Sequence, residues 1–322
     1  MTAAPLTSAA APRSAIAPVS MAAYAGDLPG LAEALGASFA RYGFAVVADH
    51  GLDMDAINAA IDDARAFFAL PTEVKMQYHE PGTGGARGYT PFGKEAAKDA
   101  DVVDLKEFWH TGRDLPAGHP YRAMMRDNLW PAEVPTFKAN VQAMFQAMDD
   151  LGAVLLQAIA RYLDLPQDWF ADKVEMGNSV LRLLHYPPIP ADAPGVRAGA
   201  HEDINVITLL LGAEEAGLQL KDKDGQWLDI APPPGALVVN IGDMLQRLTN
   251  HVLPSTTHRV VNPAPERRGF ARYSTPFFLH FNPDFEIATL PSCVSADRPD
   301  RYPAPITAQD YLLQRLREIR LL

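Results

Sequence analysis

The chain of 322 residues has little cysteine, no long apolar run and no excess of positive charge. Its single cysteine, Cys293, rules out an intrachain disulfide, which predicts a reducing, cytoplasmic location. No apolar run approaches the ~18 residues of a membrane span, so we expect no transmembrane helix. A formal net charge of -11 argues against non-specific binding to nucleic acid and against attraction to an anionic membrane surface.

Composition and length favour one globular body, because 48% of the residues are hydrophobic. Residues 1–14 are rich in Ala, Ser, Thr and Pro and lack the apolar core of a signal peptide, which predicts a disordered tail. Residues 15–322 contain no internal repeat and no linker. They predict a single domain, and a monomer is the default expectation.

Helical patterns dominate the first half, and we expect residues 15–165 to be mainly helical. Leu28–Arg41 predicts one helix, and Asp53 is placed to cap the next. Pro135–Leu163 carries a single apolar stripe, which predicts a long helix that backs a sheet. The glycine-rich stretch Gly82–Gly88 predicts a loop.

Short runs rich in Val, Ile, Leu and Thr alternate with Gly, Pro and Asp turns across residues 175–285. The predicted strands are Val180–Tyr186, Val206–Leu211, Gly217–Leu220, Trp227–Ile230, Ala236–Ile241, Thr256–Val261 and Ala271–Phe281. Many short strands favour a sandwich, a barrel or a double-sheet jelly roll. We therefore expect a mostly β core with flanking helices, an α+β fold. Residues 305–322 predict a C-terminal helix capped by Thr307.

Two histidines and one aspartate form a candidate metal site. His201 and Asp203 flank Glu202, and His258 follows 55 residues after Asp203. Side chains two apart on a strand share a face, so His201 and Asp203 point together and Glu202 points away. Two imidazoles and one carboxylate are the protein ligands of a non-haem Fe(II) oxygenase, with the other positions open for reactants. Zinc accepts the same three ligands.

Arg272 and Ser274 also share a strand face and form a candidate site for a small carboxylate. A guanidinium is a planar fork that matches a carboxylate. The surrounding strand is apolar, and a buried arginine needs an anionic partner that a ligand can supply. A carboxylate site beside the candidate metal site favours iron over zinc as the metal. The two sites together indicate an oxygenase that uses iron and a 2-oxo acid.

These residues and several longer motifs resemble the isopenicillin-N-synthase-like iron(II)/2-oxoglutarate dioxygenases. The motifs are Tyr42-Gly-Phe, Asp49-His-Gly, Arg87-Gly-Tyr, Leu218–Leu228, Pro234–Asp243 and Ser255–Asn262. The resemblance extends from about Ile16 to the C-terminal helix.

The resemblance implies a double-stranded β-helix, which is a distorted jelly roll. It implies that His201, Asp203 and His258 bind Fe(II). It also implies that Arg272 and Ser274 hold the distal carboxylate of 2-oxoglutarate, which Tyr186 can reach as well. An enzyme of this family consumes O2, releases succinate and CO2, and oxidises a small molecule by hydroxylation or desaturation.

Substrate contacts are harder to locate from the sequence. Phe278 is in phase with Arg272 and Ser274, so we predict that its side chain lies on the substrate side. A plain core phenylalanine fits as well. Arg87 could meet a substrate carboxylate, although an exposed loop arginine is the simpler interpretation. His280 is in the same phase, and we interpret it as an ordinary polar residue at a strand end. The block Asp104–Trp109 could cover the pocket.

Two other functions fit the same residues. An iron oxidase or cyclase of the isopenicillin N synthase type takes all its electrons from the substrate and releases no succinate. A non-catalytic jelly roll could bind a metal or a small carboxylate as a sensor or store.

Overall fold

The computed structural model describes residues 16–83, 85–93, 105–188, 197–211, 217–263 and 265–318. The predicted tail over residues 1–14 lies outside the described residues, as do Gly84 of the predicted loop, Asp104 of the predicted cover and residues 319–322 of the predicted C-terminal helix.

Seven α-helices pack around a β core in this part of the chain. They are α1 Leu28–Tyr42, α2 Met54–Phe68, α3 Thr72–Lys75, α4 Phe137–Tyr162, α5 Ala171–Val174, α6 Asp243–Leu248 and α7 Ala308–Glu318. The long helices lie where their patterns predict them. The carboxylate of Asp53 caps α2 by accepting from the N–H groups of Asp55 and Ala56. Thr307 caps α7, because its hydroxyl accepts from the Asp310 N–H at 3.1 Å.

The strands, in chain order, are β1 Pro18–Ser20, β2 Phe44–Ala48, β3 Gly88–Thr90, β4 Glu107–Gly112, β5 Val180–Tyr186, β6 Ala198–His201, β7 Ile207–Leu211, β8 Leu218–Lys221, β9 Trp227–Asp229, β10 Leu237–Ile241, β11 His258–Val260, β12 Arg272–Ser274, β13 Pro276–Leu279, β14 Glu286–Ile287 and β15 Ile306–Thr307. Nine of them form a large sheet in the order β1-β2-β10-β7-β13-β5-β4-β3, with β12 pairing β5 beside β13. A smaller sheet has the order β6-β11-β8-β9, and β14 pairs β15.

These sheets confirm the predicted sheet-rich core with flanking helices. The predicted strand Ala271–Phe281 is divided at Thr275 into β12 and β13, yet both keep one antiparallel register with β5. The mainly helical first half also supplies β1 to β4 to the large sheet. In particular, Glu107–Gly112 is an interior strand of that sheet rather than a segment that covers the pocket.

The large sheet has two differently packed faces. One face packs on the helices, where the ring of Phe277 lies 5.0 Å from that of Phe145 on α4. The apolar stripe of α4 is buried there, as predicted, and each such side chain contributes about 1.5–3 kcal/mol. The other face turns toward the small sheet, and Phe44 and Val238 meet Leu220 in a second apolar cluster. The interior between the sheets is where the candidate site lies.

Within the described ranges, none of the helices combines the length and the apolar character that crossing a membrane requires.

Candidate functional site

The two candidate histidines come from neighbouring strands of the small sheet. His201 is the last residue of β6 and His258 is the first residue of β11, and the antiparallel register places them directly opposite each other. Their ring centroids are 4.4 Å apart. Direct pairing across a ladder thus brings together two residues that lie 57 positions apart in the sequence.

Each imidazole is oriented by a backbone carbonyl. His201 Nδ1 lies 2.8 Å from the Gly199 oxygen, and His258 Nδ1 lies 3.1 Å from the Thr256 oxygen. A carbonyl oxygen only accepts, so each Nδ1 carries the proton and donates. In the neutral ring this leaves the Nε2 lone pair for a metal.

Asp203 completes the group. Its Oδ1 lies 3.7 Å from Nε2 of His201 and 3.8 Å from Nε2 of His258. The three residues offer ligand atoms that all lie within 4.8 Å of one another, which is close enough to hold one metal ion. Two imidazole nitrogens and a carboxylate oxygen fit a divalent transition metal.

The route by which Asp203 reaches the group differs from the strand alternation that we predicted. β6 ends at His201, so Asp203 lies outside any strand, and its carbonyl accepts from the Asp243 N–H at 2.7 Å. Glu202 points outward as predicted, and its carboxylate accepts from the Thr257 hydroxyl. The two carboxylates therefore have different partners, although no strand continues through them.

The large sheet fixes the second oxygen of Asp203. Oδ2 accepts from the Thr208 hydroxyl of β7 at 2.6 Å and from the Asn240 amide of β10 at 2.8 Å. Sequence reasoning missed both residues. The available signal was a polar side chain inside an otherwise apolar strand, since a buried polar group needs a partner.

Burial and charge set the protonation of the group. Burial, aided by the nearby charge of His258, lowers the pKa of His201 to about 4, so its ring is neutral near pH 7. Burial alone would raise the pKa of the Asp203 carboxyl. The two imidazoles and the hydrogen bonds from Thr208 and Asn240 outweigh burial and hold that pKa below its usual value. The His201 ring and the Asp203 carboxyl are therefore in the protonation states that metal binding needs.

The three residues expected to hold a small carboxylate also meet. Arg272 on β12 pairs directly with Tyr186 on β5, and Ser274 pairs with Leu184. The guanidinium carbon of Arg272 lies 5.0 Å from the centre of the Tyr186 ring, and all three side chains are buried. Sequence reasoning missed Arg197, whose guanidinium carbon lies 5.8 Å from the centre of the same Tyr186 ring. Nothing in its loop context marks it as part of a site.

A cavity of about 420 Å³ lies beside this cluster, between α2 and β12. Ile57 and Ile61 line it together with Arg272 and Ser274. It is on the helix side of the large sheet, whereas the two histidines and Asp203 meet on the side of the small sheet. We place the candidate metal centre by its ligand atoms rather than by this cavity.

Phe278 and Arg87 differ from a plain core phenylalanine and an exposed loop arginine, which were the simpler interpretations of these two residues. Phe278 is half-buried and pairs directly with Thr208 and with Val180, on the same face as Arg272 and Ser274. Arg87 is only 3% exposed, so it is not a solvent-exposed loop arginine.

Three other histidines of the described residues have partners outside the candidate metal group. His185 faces away from Tyr186 and bonds Glu107 at 2.7 Å on the helix side of the sheet. His251 bonds the Tyr302 hydroxyl at 2.7 Å, which is a structural role. His280 follows β13 and is buried, and burial followed by the charge of Arg87 lowers its pKa to about 4.

Comparison with known proteins agrees with this geometry. Residues 18–133 match the family described as non-haem dioxygenase in morphine synthesis, N-terminal. Residues 177–281 match the 2OG-Fe(II) oxygenase superfamily. The two stretches cover more than half of the chain, and the chain belongs to the 2OG-Fe(II) oxygenase superfamily.

Individual relatives support the same membership. The chain is 37% identical over 281 residues to the 2-oxoglutarate-Fe(II) type oxidoreductase hxnY of Emericella nidulans, covering 83% of this chain and 78% of that protein. A crystal structure of a 2OG-Fe(II) oxygenase family protein from Caulobacter crescentus is 64% identical, with a TM-score of 0.90 over 95% of this chain and 100% of that chain. T7H of Neurospora crassa, solved in complex with alpha-KG and thymine, is 30% identical, with a TM-score of 0.82 over 94% of this chain and 96% of that chain.

The predicted family, fold and enzyme class are therefore confirmed. The protein is an Fe(II)/2-oxoglutarate-dependent oxygenase with a jelly-roll core, and Fe(II), 2-oxoglutarate and O2 are the cofactor and cosubstrates of its class.

Proposed function

We propose that Nε2 of His201, Nε2 of His258 and Oδ1 of Asp203 bind the catalytic Fe(II). The observation that carries this proposal is the convergence of these three atoms on one point, with both Nδ1 atoms and Asp203 Oδ2 occupied by other partners. Three ligands on one side leave the remaining positions of an octahedral metal open for reactants.

We propose that Arg272 and Ser274 bind the distal carboxylate of 2-oxoglutarate, with Tyr186 as a further contact. A guanidinium and a hydroxyl directed into a buried site suit a carboxylate, and shielding from water strengthens such a pair. The stacking of Arg272 over the Tyr186 ring holds the guanidinium plane in place. These three residues thereby orient the cosubstrate and keep water away from it.

Fe(II) and 2-oxoglutarate, when bound, would supply the oxidising chemistry, in which O2 is consumed and 2-oxoglutarate is converted to succinate and CO2. The protein contributes position rather than chemistry of its own. Thr208 and Asn240 hold the Asp203 carboxylate, and the carbonyls of Gly199 and Thr256 hold the two imidazoles.

The substrate that we propose is a small molecule, oxidised by hydroxylation or desaturation, with Phe278 on the substrate side. The position of Phe278 next to Thr208, the residue that bonds Asp203, supports this role. The complex of T7H with thymine is an example of a small molecule bound by a relative. We further propose a cytoplasmic monomer with one domain over residues 15–322 and no nucleic-acid partner, consistent with the net charge of -11.

An anaerobic optical titration of the Fe(II)-loaded protein with 2-oxoglutarate tests the ligand assignment without turnover. Chelation of Fe(II) by a 2-oxo acid produces a weak visible absorption band, and we expect this band to appear and to saturate. Iron binding without the band would favour an iron oxidase that takes its electrons from the substrate. Succinate release in the presence of O2 provides the second readout.

A further inference from the structure

We propose that the substrate carries a negatively charged group, best matched by a carboxylate, which pairs with the guanidinium of Arg87. This inference rests on the proposed function, because it concerns the substrate of the same oxygenase. It goes beyond that function by naming the chemical class of the substrate and the residue that selects it.

Arg87 reaches the inner face of the large sheet. Along β4 the side chains of Phe108 and His110 point inward toward Arg182, whose guanidinium lies 4.3 Å from the Phe108 ring and donates to His110. Gly112 shares their face. A Cβ added at Gly112 would lie 1.9 Å from Nη2 of Arg87, so the guanidinium occupies the space that any larger residue would fill.

A single row of directly paired residues connects Arg87 with the metal site. Thr208 pairs with Phe278, Phe278 with Val180, and Val180 with Gly112. The row therefore begins at the residue that bonds Asp203 and ends at the glycine against which Arg87 lies. Three strand spacings amount to about 14 Å along the curved sheet, and to less through its interior.

The partners of Arg87 are neutral. Nη1 donates to the Ala86 carbonyl at 2.7 Å and Nη2 donates to the Asn178 amide oxygen at 3.3 Å. Nε is buried and has no hydrogen-bond partner within the described ranges. Nε and Nη2 form the edge of the guanidinium that can donate to both oxygens of one carboxylate.

The two carboxylates whose charges act on Arg87 have other hydrogen-bond partners. Asp114 and Asp127 act on Arg87 only through their charges, without a hydrogen bond to it. Asp114 accepts from the amides of Asn128 and Gln142, and Asp127 accepts from Arg122. In the described part of the chain, the charge of Arg87 is thus buried without an ion pair, and burial of an unpaired charge is costly. An anionic substrate supplies the missing partner.

The charge of Arg87 persists under working conditions. Burial lowers its pKa only to about 10, so the guanidinium stays protonated near neutral pH. Burial and the charge of Arg87 lower the pKa of the nearby His280, and the charge of Asp203 raises it. The His280 ring is thus neutral near pH 7, whereas Arg87 keeps its positive charge.

The geometry limits the size of the substrate. An anionic group at Arg87 and a reacting carbon at the metal centre lie within the roughly 14 Å of the row. Phe278 and Val180 lie between them and offer an apolar surface to the body of the molecule. We therefore expect a compact carboxylate in which several apolar atoms separate the carboxylate from the oxidised carbon.

The test uses matched carboxylates and primary amides, namely 3-phenylpropanoate with 3-phenylpropanamide and hexanoate with hexanamide. Each is titrated anaerobically into the Fe(II)- and 2-oxoglutarate-loaded protein, and its binding is followed by the change in the visible band. In the wild type we expect each carboxylate to bind at about millimolar concentration or below and at least ~10-fold more tightly than its amide. Arg87→Gln should remove this preference, and Arg87→Lys should restore part of it.

Arg113→Gln is the matched control, because Arg113 already has a carboxylate partner, Asp149, at 2.7 Å. It should keep the preference for carboxylates. The proposal is overturned if no carboxylate binds, if amides bind as tightly as carboxylates in the wild type, or if Arg87→Gln retains the preference. Failure of the proposed function looks different, because the visible band with 2-oxoglutarate would then be missing in the wild type before any probe is added.

Discussion

Thr208 and Asp203 are joined by a 2.6 Å hydrogen bond that links the large sheet to the candidate metal centre. The bond occupies Oδ2 of the carboxylate and leaves Oδ1 directed at the two imidazoles. Together with the Asn240 amide, which donates to the same oxygen at 2.8 Å, this hydroxyl leaves Oδ1 to face a metal.

Thr208→Val removes this hydroxyl and keeps the shape of the side chain. We expect it to weaken Fe(II) binding by about 10- to 100-fold, because the carboxylate loses the partner that orients it. Competition with a coloured chelator measures the affinity. Thr257→Val is the control, since Thr257 donates to the outward-facing Glu202 and should not affect iron. Equal losses in both variants would argue against an orienting role for Thr208.

Asp203→Ala should abolish stoichiometric Fe(II) binding and turnover, because it removes one of three protein ligands. Glu202→Gln, at the neighbouring position, should leave both intact, because its side chain points away from the site. Metal content after gel filtration and succinate formation with O2 measure the two effects. Full activity of Asp203→Ala would show that the ligand assignment is wrong.

Arg272→Gln should weaken 2-oxoglutarate binding by about 10- to 100-fold and leave Fe(II) affinity nearly unchanged. The expected size follows from the loss of a charge-assisted hydrogen bond, worth about 1.5–3 kcal/mol. The anaerobic visible titration measures cosubstrate affinity directly. Arg259→Gln is the control, because Arg259 stacks on Trp227, with 3.9 Å from its guanidinium carbon to the ring centre. An unchanged dissociation constant in Arg272→Gln would place the distal carboxylate elsewhere.

His280 should make the metal-free protein less stable in acid. Its pKa is about 4 in the folded protein, whereas the ordinary value, expected in the unfolded chain, is 6.5. As the pH falls, the unfolded chain therefore takes up the proton first. The free energy of unfolding should therefore decrease below pH 6.5, by about 2 kcal/mol per such group at pH 5. Urea titrations at pH 7 and pH 5 measure the decrease. His280→Gln should show a smaller decrease than the wild type, and an equal one would contradict the shift.

Much of the candidate site could be predicted from the sequence, because few kinds of site combine these residue types at these spacings. His201, Asp203 and His258 are expected together from their ligand types, their spacing and the nearby Arg272 and Ser274, and the structure brings their ligand atoms within 4.8 Å of one another. Arg272 and Ser274 follow from strand alternation, which holds through the break at Thr275 because the register does not shift. Periodicity also suffices for α1, α2 and α4, whose apolar stripes are long.

The remainder depends on contacts between distant segments. β4 carries buried Glu107, whose partners Lys75 and His185 come from other elements, so its polar residues conceal a buried strand. β6 reads Ala-Gly-Ala-His and has little intrinsic preference for a strand. Thr208 and Asn240 become informative only when pairing of β7 with β10 places them side by side at Asp203. No local pattern carries that information.

The metal site also has a mechanical consequence. His201 and His258 belong to the small sheet, whereas Asp203 is tied to the large sheet through Thr208 and Asn240. An ion held by these three side chains would therefore join the two layers of the jelly roll. Its binding would stabilise the folded state by about 2.7 kcal/mol when free metal is at 100 times its dissociation constant. We therefore expect the resistance of this enzyme to unfolding to rise with the free iron concentration of its surroundings.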